Sequence, residues 1–328
     1  MTSSPRNRQS TRPAPAHDPR LVREETTRPP AAGEGARSAL GESAAPRIGL
    51  VIPTRDAGPD FPRLLDELDA QTCPLARRLI IDTSSRDGTA EQARRHGFEV
   101  RTIAPADFGH GRTRQLAADL LAPDVDAIIY LTQDVRLPDP AALSLLARAL
   151  IAHPRSGAAY GRQLAARGAS RQTRIERAYS YPEMSREKTL ADRAALGLRA
   201  PFLSDAFAIY RTRALYDVGG FPQDAAICED LYVGARLLLK GYTILYAADA
   251  CVRHSHELTL AAACRRYYAM GAFQHAESWI GATFGGGGSQ GLRVLRRQLA
   301  AAGPRGGART AASYLLRGLA YALGRAGL

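Results

Sequence analysis

Short apolar runs alternate with amphipathic stretches along residues 47–134. Four runs have the length and apolar content of strands, the first of them buried: "RIGLVIPT", "RRLIID", "FEVRTIAP" and "VDAIIYLTQD". The stretches between them place apolar residues at helical spacing: "FPRLLDELDAQT", "AEQARRHG" and "GRTRQLAADLLA". Strands that alternate with helices predict an α/β fold with a mostly parallel sheet and helices on both faces.

The second half of the chain has a less regular pattern. It predicts a polar helix over 182–197, a strand, short helix and glycine turn over 201–222, and a long helix leading into a strand over 231–256. An amphipathic helix is expected over 258–280. After a glycine-rich segment, two stretches near the C-terminus alternate Leu and Ala with Arg at helical spacing.

This pattern divides the chain into three parts. Residues 1–46 are rich in Pro, Arg, Ser and Thr and are expected to be disordered, because they lack the apolar content that repays ordering. Residues 47–280 are expected to fold as one domain. Residues 281–328 are expected to form a glycine hinge and a basic amphipathic tail.

Composition sets the broad class of the protein. With 328 residues and 45% hydrophobic residues, the chain can bury a full core. It shows no apolar window long enough to span a membrane and no secretory signal, so an intracellular location is expected. The four cysteines have neither zinc-site spacing nor the density of a disulfide framework, and are expected to be reduced.

The charge of the C-terminal segment changes this picture. The net charge is +12, and from residue 285 onward the chain has seven arginines and no acidic residue. Such a segment suits an anionic surface, either nucleic acid or the cytoplasmic leaflet of a membrane. A solvated basic tail without a partner is the alternative.

Polar and acidic side chains follow three of the predicted strands. Thr54 and Asp56 end the first, Asp82 the second and Asp134 the fourth. Functional groups of such sheets gather at the carboxyl ends of the strands, so these side chains are expected along one edge.

Two further clusters lie in the second half. Glu229 and Asp230 stand at the head of a predicted helix, where they act either in catalysis or as N-terminal charges that favour the helix. His254 and His256 end a predicted strand two residues apart, so they share one face.

The ordered set "LVIPTRDAG", "IIDTSSRDGT", "DFGHGRTRQLA", "YLTQD", "GGFP" and "CEDLYVGARLLLKGYTILYAADACVRHSH" resembles the family 2 glycosyltransferases of GT-A fold. The resemblance covers residues 47 to about 275 and is strongest to the rhamnosyltransferase-like branch. It implies a Rossmann-like GT-A domain and an inverting transfer from a nucleotide sugar to a hydroxyl. Rhamnose is the sugar that the branch implies.

The resemblance also implies roles for individual residues. Thr54, Asp56 and Asp82 would contact the donor nucleoside, and Arg114, beside the glycines of "GHGRTR", would reach a phosphate. Asp230 would be the general base, with Glu229 beside it raising its pKa. Asp205 would line the acceptor side.

Asp134 corresponds to the metal-binding Asp-x-Asp motif of GT-A enzymes, although Val135 and Arg136 follow it here. It would also lie at the donor diphosphate. The resemblance implies that His254 or His256 completes a site for Mn²⁺ or Mg²⁺. The implied metal would neutralise the departing diphosphate.

The leading hypothesis is therefore a metal-dependent glycosyltransferase at the cytoplasmic face of the plasma membrane. Its acceptor would be a surface polysaccharide or a lipid-linked glycan, and contact with anionic lipid would occur through the C-terminal tail. Alternatives are a nucleotidyl or phosphosugar transferase, a catalytically inactive relative, and a non-catalytic nucleic-acid binder. Because the tail offers only Tyr314 and Tyr321 as aromatic partners for its arginines, no specific nucleic acid is expected.

Overall fold

The computed structural model describes residues 45–254, 258–285 and 288–328, with the side chains of residues 288–290 and 302–306 excepted. In that part of the chain, eight strands form one sheet in the order β3-β2-β1-β4-β7-β5-β8-β6. The strands are β1 Ile48–Thr54, β2 Arg77–Asp82, β3 Glu99–Thr102, β4 Ala127–Leu131, β5 Ser156–Leu164, β6 Arg186–Lys188, β7 Phe207–Arg211 and β8 Thr243–Arg253.

Helices cover both faces of the sheet. They are α1 Phe61–Asp69, α2 Thr89–Arg95, α3 His110–Leu121, α4 Ala142–Ala152, α5 Arg171–Ser180, α6 Arg193–Leu196, α7 Thr212–Asp217, α8 Glu229–Leu239, α9 Leu260–Ala276, α10 Ser278–Phe284 and α11 Gly288–Ala326. Apolar side chains of α1 and α4 belong to one buried cluster, and those of α3 and α8 belong to another. The α/β class and the two helical layers are as the alternating pattern predicted.

The sheet is mixed rather than wholly parallel. Strands β1 to β4 pair in parallel, β7 runs antiparallel to both β4 and β5, and β8 is parallel to β5. Since β7 enters the sheet from the edge where β1, β2 and β4 end, the residues before Phe207 lie at that edge too. The carboxyl end of β8 reaches the same edge.

Two regions differ from the sequence-based expectations. Residues 182–197 are not one helix, because Arg186–Lys188 pair with β8 as the edge strand β6. No element was predicted between residues 140 and 181, where α4, β5 and α5 lie. Strand β5 is rich in Gly and Ala because its neighbours fill the space, and a Cβ atom on Gly161 would come within 2.3 Å of Phe207.

The C-terminal part is a layer of helices. Instead of two helical stretches, residues 288–326 form the single helix α11, which packs along α9 and also contacts α5. Among the described residues, the structure contains no helix that is long and apolar enough to cross a membrane. The N-terminal segment up to residue 44 and His256 lie outside the described residues.

Candidate active site

Asp82 anchors the first part of the shared strand edge. Thr54 pairs with Asp82 in the register of β1 and β2, and the Thr54 hydroxyl donates to Asp82 Oδ1 over 2.9 Å. Both side chains are buried. The Ser85 amide donates to Asp82 Oδ2 over 2.9 Å and the Ser85 hydroxyl donates to Asp82 Oδ1 over 2.6 Å. Asp82 therefore fixes the turn that follows β2.

Asp56 joins the loops that follow β1 and β2. Its backbone has a positive φ of 41°, its amide donates to Ser85 Oγ over 2.8 Å, and its carboxylate accepts from the Arg86 amide over 2.8 Å. The side chain lies at the exposed surface of the edge. The structure thus brings Thr54, Asp56 and Asp82 together, as predicted from the strand ends.

Gln133 joins the loop after β4 to the loop after β1. Its Oε1 accepts from the Arg55 amide over 2.8 Å, and its Nε2 donates to the Arg55 carbonyl over 3.2 Å. This double contact holds the segment that carries Asp134 against the end of β1.

Asp134 and His254 meet although 120 residues separate them along the chain. His254 Nε2 lies 3.2 Å from Asp134 Oδ2. Arg136 and Arg253 form a β-bridge with two backbone hydrogen bonds of 2.9 Å, which holds the Asp134 loop beside the end of β8. His254 is buried, whereas Asp134 is exposed at the sheet edge.

Gln163 determines which nitrogen of His254 carries the proton. Its Oε1 lies 2.9 Å from His254 Nδ1 and accepts from Arg177 Nη1 over 2.6 Å, while its Nε2 donates to Ser204 Oγ over 2.7 Å. With the amide held in this orientation, Nδ1 is the donor to Oε1. In the neutral imidazole, Nε2 then directs a lone pair toward the Asp134 carboxylate.

This donor set fits a divalent cation. A carboxylate oxygen and an imidazole nitrogen converge, and the outer ring nitrogen is bound to an amide oxygen, as in many histidines that bind metals. Among the residues with described positions, His, Cys, Asp and Glu form no group of three or more that could hold a metal ion. The chain's described side chains therefore offer two ligands, and His256 lies outside the described residues.

A buried ionic network joins α3, the segment before β7 and the start of α8. Arg114 Nε lies 2.9 Å from Asp205 Oδ2, and Arg114 Nη1 lies 3.1 Å from Glu229 Oε1. Nη1 also donates to the His110 carbonyl over 3.0 Å, and the Tyr210 hydroxyl donates to Asp205 Oδ1. Arg114 is only 5% exposed, so its guanidinium joins two carboxylates instead of presenting its charge to solvent.

Electrostatics within this network alter its acidic groups. Burial raises the pKa of Asp205 to about 6, although Arg114 opposes the shift. Asp230 is half-buried, and its Oδ1 accepts from the Leu231 amide over 2.7 Å. Burial, together with the charges of Glu229 and Asp205, raises the pKa of Asp230 well above its usual range. Asp230 is therefore a carboxylate of increased basicity.

The start of α3 approaches α8 through a glycine. A Cβ atom on Gly111 would lie 1.8 Å from the Pro222 carbonyl oxygen and 3.6 Å from Glu229 Cβ. The Phe221 amide donates to Gln115 Oε1 over 2.8 Å, which fixes the preceding glycine turn to α3. The "GHG" and "GGFP" motifs thus hold Arg114 and Glu229 within ion-pair distance.

Sequence reasoning did not select several residues that organise this edge. Ser85 and Gln133 lie in segments that were quoted as motifs, so their position beside Asp82 and Asp134 was an available signal. Tyr210 and Gln163 lie inside strands β7 and β5, and no local pattern distinguishes them from core residues.

A separate cavity of about 330 Å³ is lined by none of the predicted site residues. Tyr160, Phe202 and Tyr246 form much of its wall. Lys188 also lines it, and its ammonium donates to the Tyr160 hydroxyl over 3.3 Å and to the Arg199 carbonyl over 3.1 Å. Burial lowers the pKa of Lys188 well below its usual range. Internal hydrogen bonds account for this lysine, and we assign it a structural role.

Comparison with known proteins gave consistent results. The family model described as "Glycosyl transferase family group 2" matches residues 127–321. The O-antigen chain rhamnosyltransferase RfbN of Salmonella typhimurium is 35% identical over 254 residues, which are 77% of this chain and 80% of that protein. The O-antigen chain rhamnosyltransferase WbaN of Salmonella anatum is 32% identical over 255 residues, with the same coverage.

Solved structures share the fold at low sequence identity. The mannosyltransferase PcManGT from Pyrobaculum calidifontis, in complex with GDP-Man and Mn²⁺, superposes with a TM-score of 0.57 at 16% identity, covering 87% of this chain and 88% of that one. Residues 1–349 of S. aureus TarS in complex with UDP-GlcNAc give 0.53 at 19% identity, covering 70% and 66%.

Proposed function

The chain belongs to glycosyl transferase family group 2 and is a glycosyltransferase, and we propose that it transfers rhamnose from a nucleoside-diphosphate sugar to a glycan hydroxyl with inversion. Two features near the same sheet edge support this proposal: Asp230 has a raised pKa beside Asp205, which precedes β7, and Asp134 and His254 pair where β4 and β8 end. One is suited to accept a proton, and the other is suited to a cation at a diphosphate.

The donor nucleoside would lie over the ends of β1 and β2. Asp56 presents a carboxylate at the surface there. Beneath it, Thr54 and Asp82 fix the ends of β1 and β2 through their mutual hydrogen bond. Because both Thr54 and Asp82 are buried, their contribution is mainly to shape the loops that receive the nucleoside. The Gln133 contact with Arg55 keeps the end of β1 next to the Asp134 loop.

Asp134 and His254 would hold a divalent cation, Mn²⁺ or Mg²⁺, with further ligands from the donor diphosphate and water. When bound, the cation would neutralise the negative charge that develops on the leaving diphosphate. Gln163 would orient His254 through Nδ1, so that Nε2 faces Asp134.

Asp230 would accept the proton of the acceptor hydroxyl as that oxygen attacks the anomeric carbon and the nucleoside diphosphate leaves. Its raised pKa makes the carboxylate a better proton acceptor than an ordinary aspartate. Arg114 would act by position, because its ion pairs with Asp205 and Glu229 hold the start of α8 where Asp230 is required.

The acceptor class is proposed from the two Salmonella relatives, whose names assign them to O-antigen chains. We infer a polysaccharide or lipid-linked glycan acceptor made at the cytoplasmic face of the plasma membrane. The convergence of Asp134 and His254 and the raised pKa of Asp230 favour catalysis over the alternative of an inactive relative.

The test is donor binding measured by thermal shift with a panel of nucleotide sugars, with and without Mn²⁺. We expect dTDP-rhamnose with Mn²⁺ to raise the Tm of wild type. Asp134→Ala should lose the Mn²⁺-dependent part of this Tm increase, since it removes one of the two proposed metal ligands. The control is Asp249→Ala, which removes an exposed carboxylate from β8 itself.

Asp230→Asn separates binding from transfer. This variant should keep the donor-induced shift and lose transfer to acceptor by at least about a hundredfold, the scale of general-base catalysis. Undiminished transfer by Asp230→Asn, or a Mn²⁺ effect that survives Asp134→Ala, would contradict the corresponding assignment.

A further inference from the structure

Helix α11 presents a continuous stripe of apolar side chains to solvent. Leu315 is 74% exposed, Leu319 58%, Leu316 46% and Leu323 40%. Together with the exposed residues Ala308, Ala312 and Ala322, these leucines recur at the three- and four-residue spacing of one helical face. A monomeric soluble protein rarely exposes an apolar patch this continuous without a partner.

The opposite side of α11 is firmly packed, so the stripe has a fixed direction. A Cβ atom on Gly271 of α9 would lie 2.1 Å from the Tyr321 carbonyl oxygen, and one on Gly324 would lie 2.1 Å from the Tyr268 carbonyl oxygen. The two helix backbones therefore touch through glycines. Near the other end of the helix, Gln298 donates to the Gln172 carbonyl of α5 over 2.9 Å.

The positive charge of α11 indicates an anionic partner. The exposed Arg309 lies at the N-terminal end of the stripe, and Arg293, Arg296 and Arg297 extend the positive charge toward the start of the helix, whereas Arg325 directs Nη2 toward Gly281 of α10. The intervening Arg317 is only 14% exposed in its side chain, and its Nη1 lies 3.5 Å from Glu176 Oε1. No acidic residue occurs after Glu277.

We propose that residues 308–325 of α11 dock on an anionic phospholipid bilayer, with Leu315, Leu316, Leu319 and Leu323 inserted between the headgroups. Arg309 then contacts lipid phosphates at the N-terminal end of the stripe. An apolar face bordered by arginines is the arrangement of helices that lie in the membrane interface. The segment is about 25 Å long. Because its apolar face runs along this length, it lies parallel to the membrane surface and holds the domain there.

A second copy of the chain fits this surface less well. A two-fold dimer would place the same face on both sides, so arginines would border arginines across the contact. Neither partner would offer a carboxylate from α11. The inference is independent of the proposed reaction, since it concerns only where the protein resides.

The test uses the full-length protein and vesicle co-sedimentation. The vesicles contain either phosphatidylcholine alone or equal parts of phosphatidylcholine and phosphatidylglycerol. Wild type should sediment with the anionic vesicles and much less with the neutral ones. The double variant L315Q/L319Q should bind the anionic vesicles at least about tenfold more weakly, because two leucines lose their burial in lipid.

The matched control is Leu239→Gln, which changes an equally apolar residue, 45% exposed, on α8. It should bind as wild type does. Thermal unfolding and light scattering of all three proteins verify folding and oligomeric state. Wild type that stays in solution with anionic vesicles, or equal binding by L315Q/L319Q, would overturn the proposal. A wild-type dimer that the double variant converts to a monomer, with vesicle binding unchanged, would assign the stripe to a second copy instead.

Discussion

Asp230 has acidic neighbours on two sides, which is the main electrostatic feature of the site at the scale of single residues. Glu229 precedes it on α8, and Asp205 reaches the same buried region from the segment before β7. Arg114 lies 3.1 Å from Glu229 and 2.9 Å from Asp205, so one cation serves three carboxylates. Burial, together with this excess negative charge, raises the pKa of Asp230, so that it holds its proton more tightly.

This arrangement predicts a shift in the pH profile of Glu229→Gln. A general base acts in its deprotonated form, so kcat/KM rises with pH through the pKa of Asp230. In wild type that limb lies above the range of an ordinary aspartate, because the folded-state pKa is raised. Removing the Glu229 charge removes the largest charge effect that raises this pKa, so the limb should move to lower pH.

The measurement is kcat/KM for transfer across the acidic to neutral range. Asp224→Asn is the control, since its side chain is fully exposed in the loop before α8, and it should leave the limb in place. An unchanged limb in Glu229→Gln, or one displaced to higher pH, would mean that another group is the base.

Residue positions were easier to predict than side-chain directions. The sequence offered Arg114 as a candidate site residue, but it did not indicate that the guanidinium turns inward between Asp205 and Glu229. That direction depends on Gly111, which lets α3 approach the Pro222 carbonyl, and such an approach is decided by tertiary packing.

At the scale of elements, the contact between α9 and α11 depends on glycines in a way that substitution can test. Gly271→Ala would place a Cβ atom 2.1 Å from the Tyr321 carbonyl oxygen and 2.8 Å from the Arg325 amide nitrogen. Backbone atoms cannot yield as a side chain can, so the helices must separate. We expect the free energy of unfolding to fall by about 1–3 kcal/mol.

Gly318→Ala provides the matched control on α11. A Cβ atom at this position meets no atom within 4 Å, so the change adds helix propensity without a clash. It should raise the free energy of unfolding by up to about 1 kcal/mol. Urea denaturation of both variants checks the pair, and two changes of the same sign would contradict the proposed helix contact.

Periodicity identified most elements of the first half because β1, β2 and β4 are rich in Ile and Leu, whereas β3, "EVRT", is short and mostly exposed. Strand β5 was missed for a physical reason. Its sequence, "SGAAYGRQL", has low strand propensity, but Gly161 and Gly157 are required where Phe207 and Leu237 fill the space beside the strand. Local propensity gave no sign of this strand because its residues are set by their neighbours.

At the scale of the whole molecule, the site is produced by strand order. Asp134 follows β4 and His254 follows β8, with β7 and β5 between them in the sheet. The sequence predicted that both residues end strands, and the resemblance implied that they meet. Their separation of three strand positions is bridged only because Arg136 and Arg253 pair outside the main ladder. Such a bridge could not be predicted from the pattern.

At the scale of the whole molecule, the contact of α11 with the bilayer also affects catalysis, and the two roles can be tested separately. If α11 holds the domain at the membrane, L315Q/L319Q should slow transfer to a lipid-linked acceptor in anionic vesicles by about tenfold, in proportion to its weaker binding. Transfer to a soluble acceptor analogue should remain at the wild-type rate, because neither leucine contacts the strand edge that carries Asp230. Product formation from labelled nucleotide sugar measures both reactions. Equal losses on the two acceptors would show that the stripe supports the fold of the active site instead of its position at the membrane, whereas no loss on either would leave the bilayer without a role in turnover.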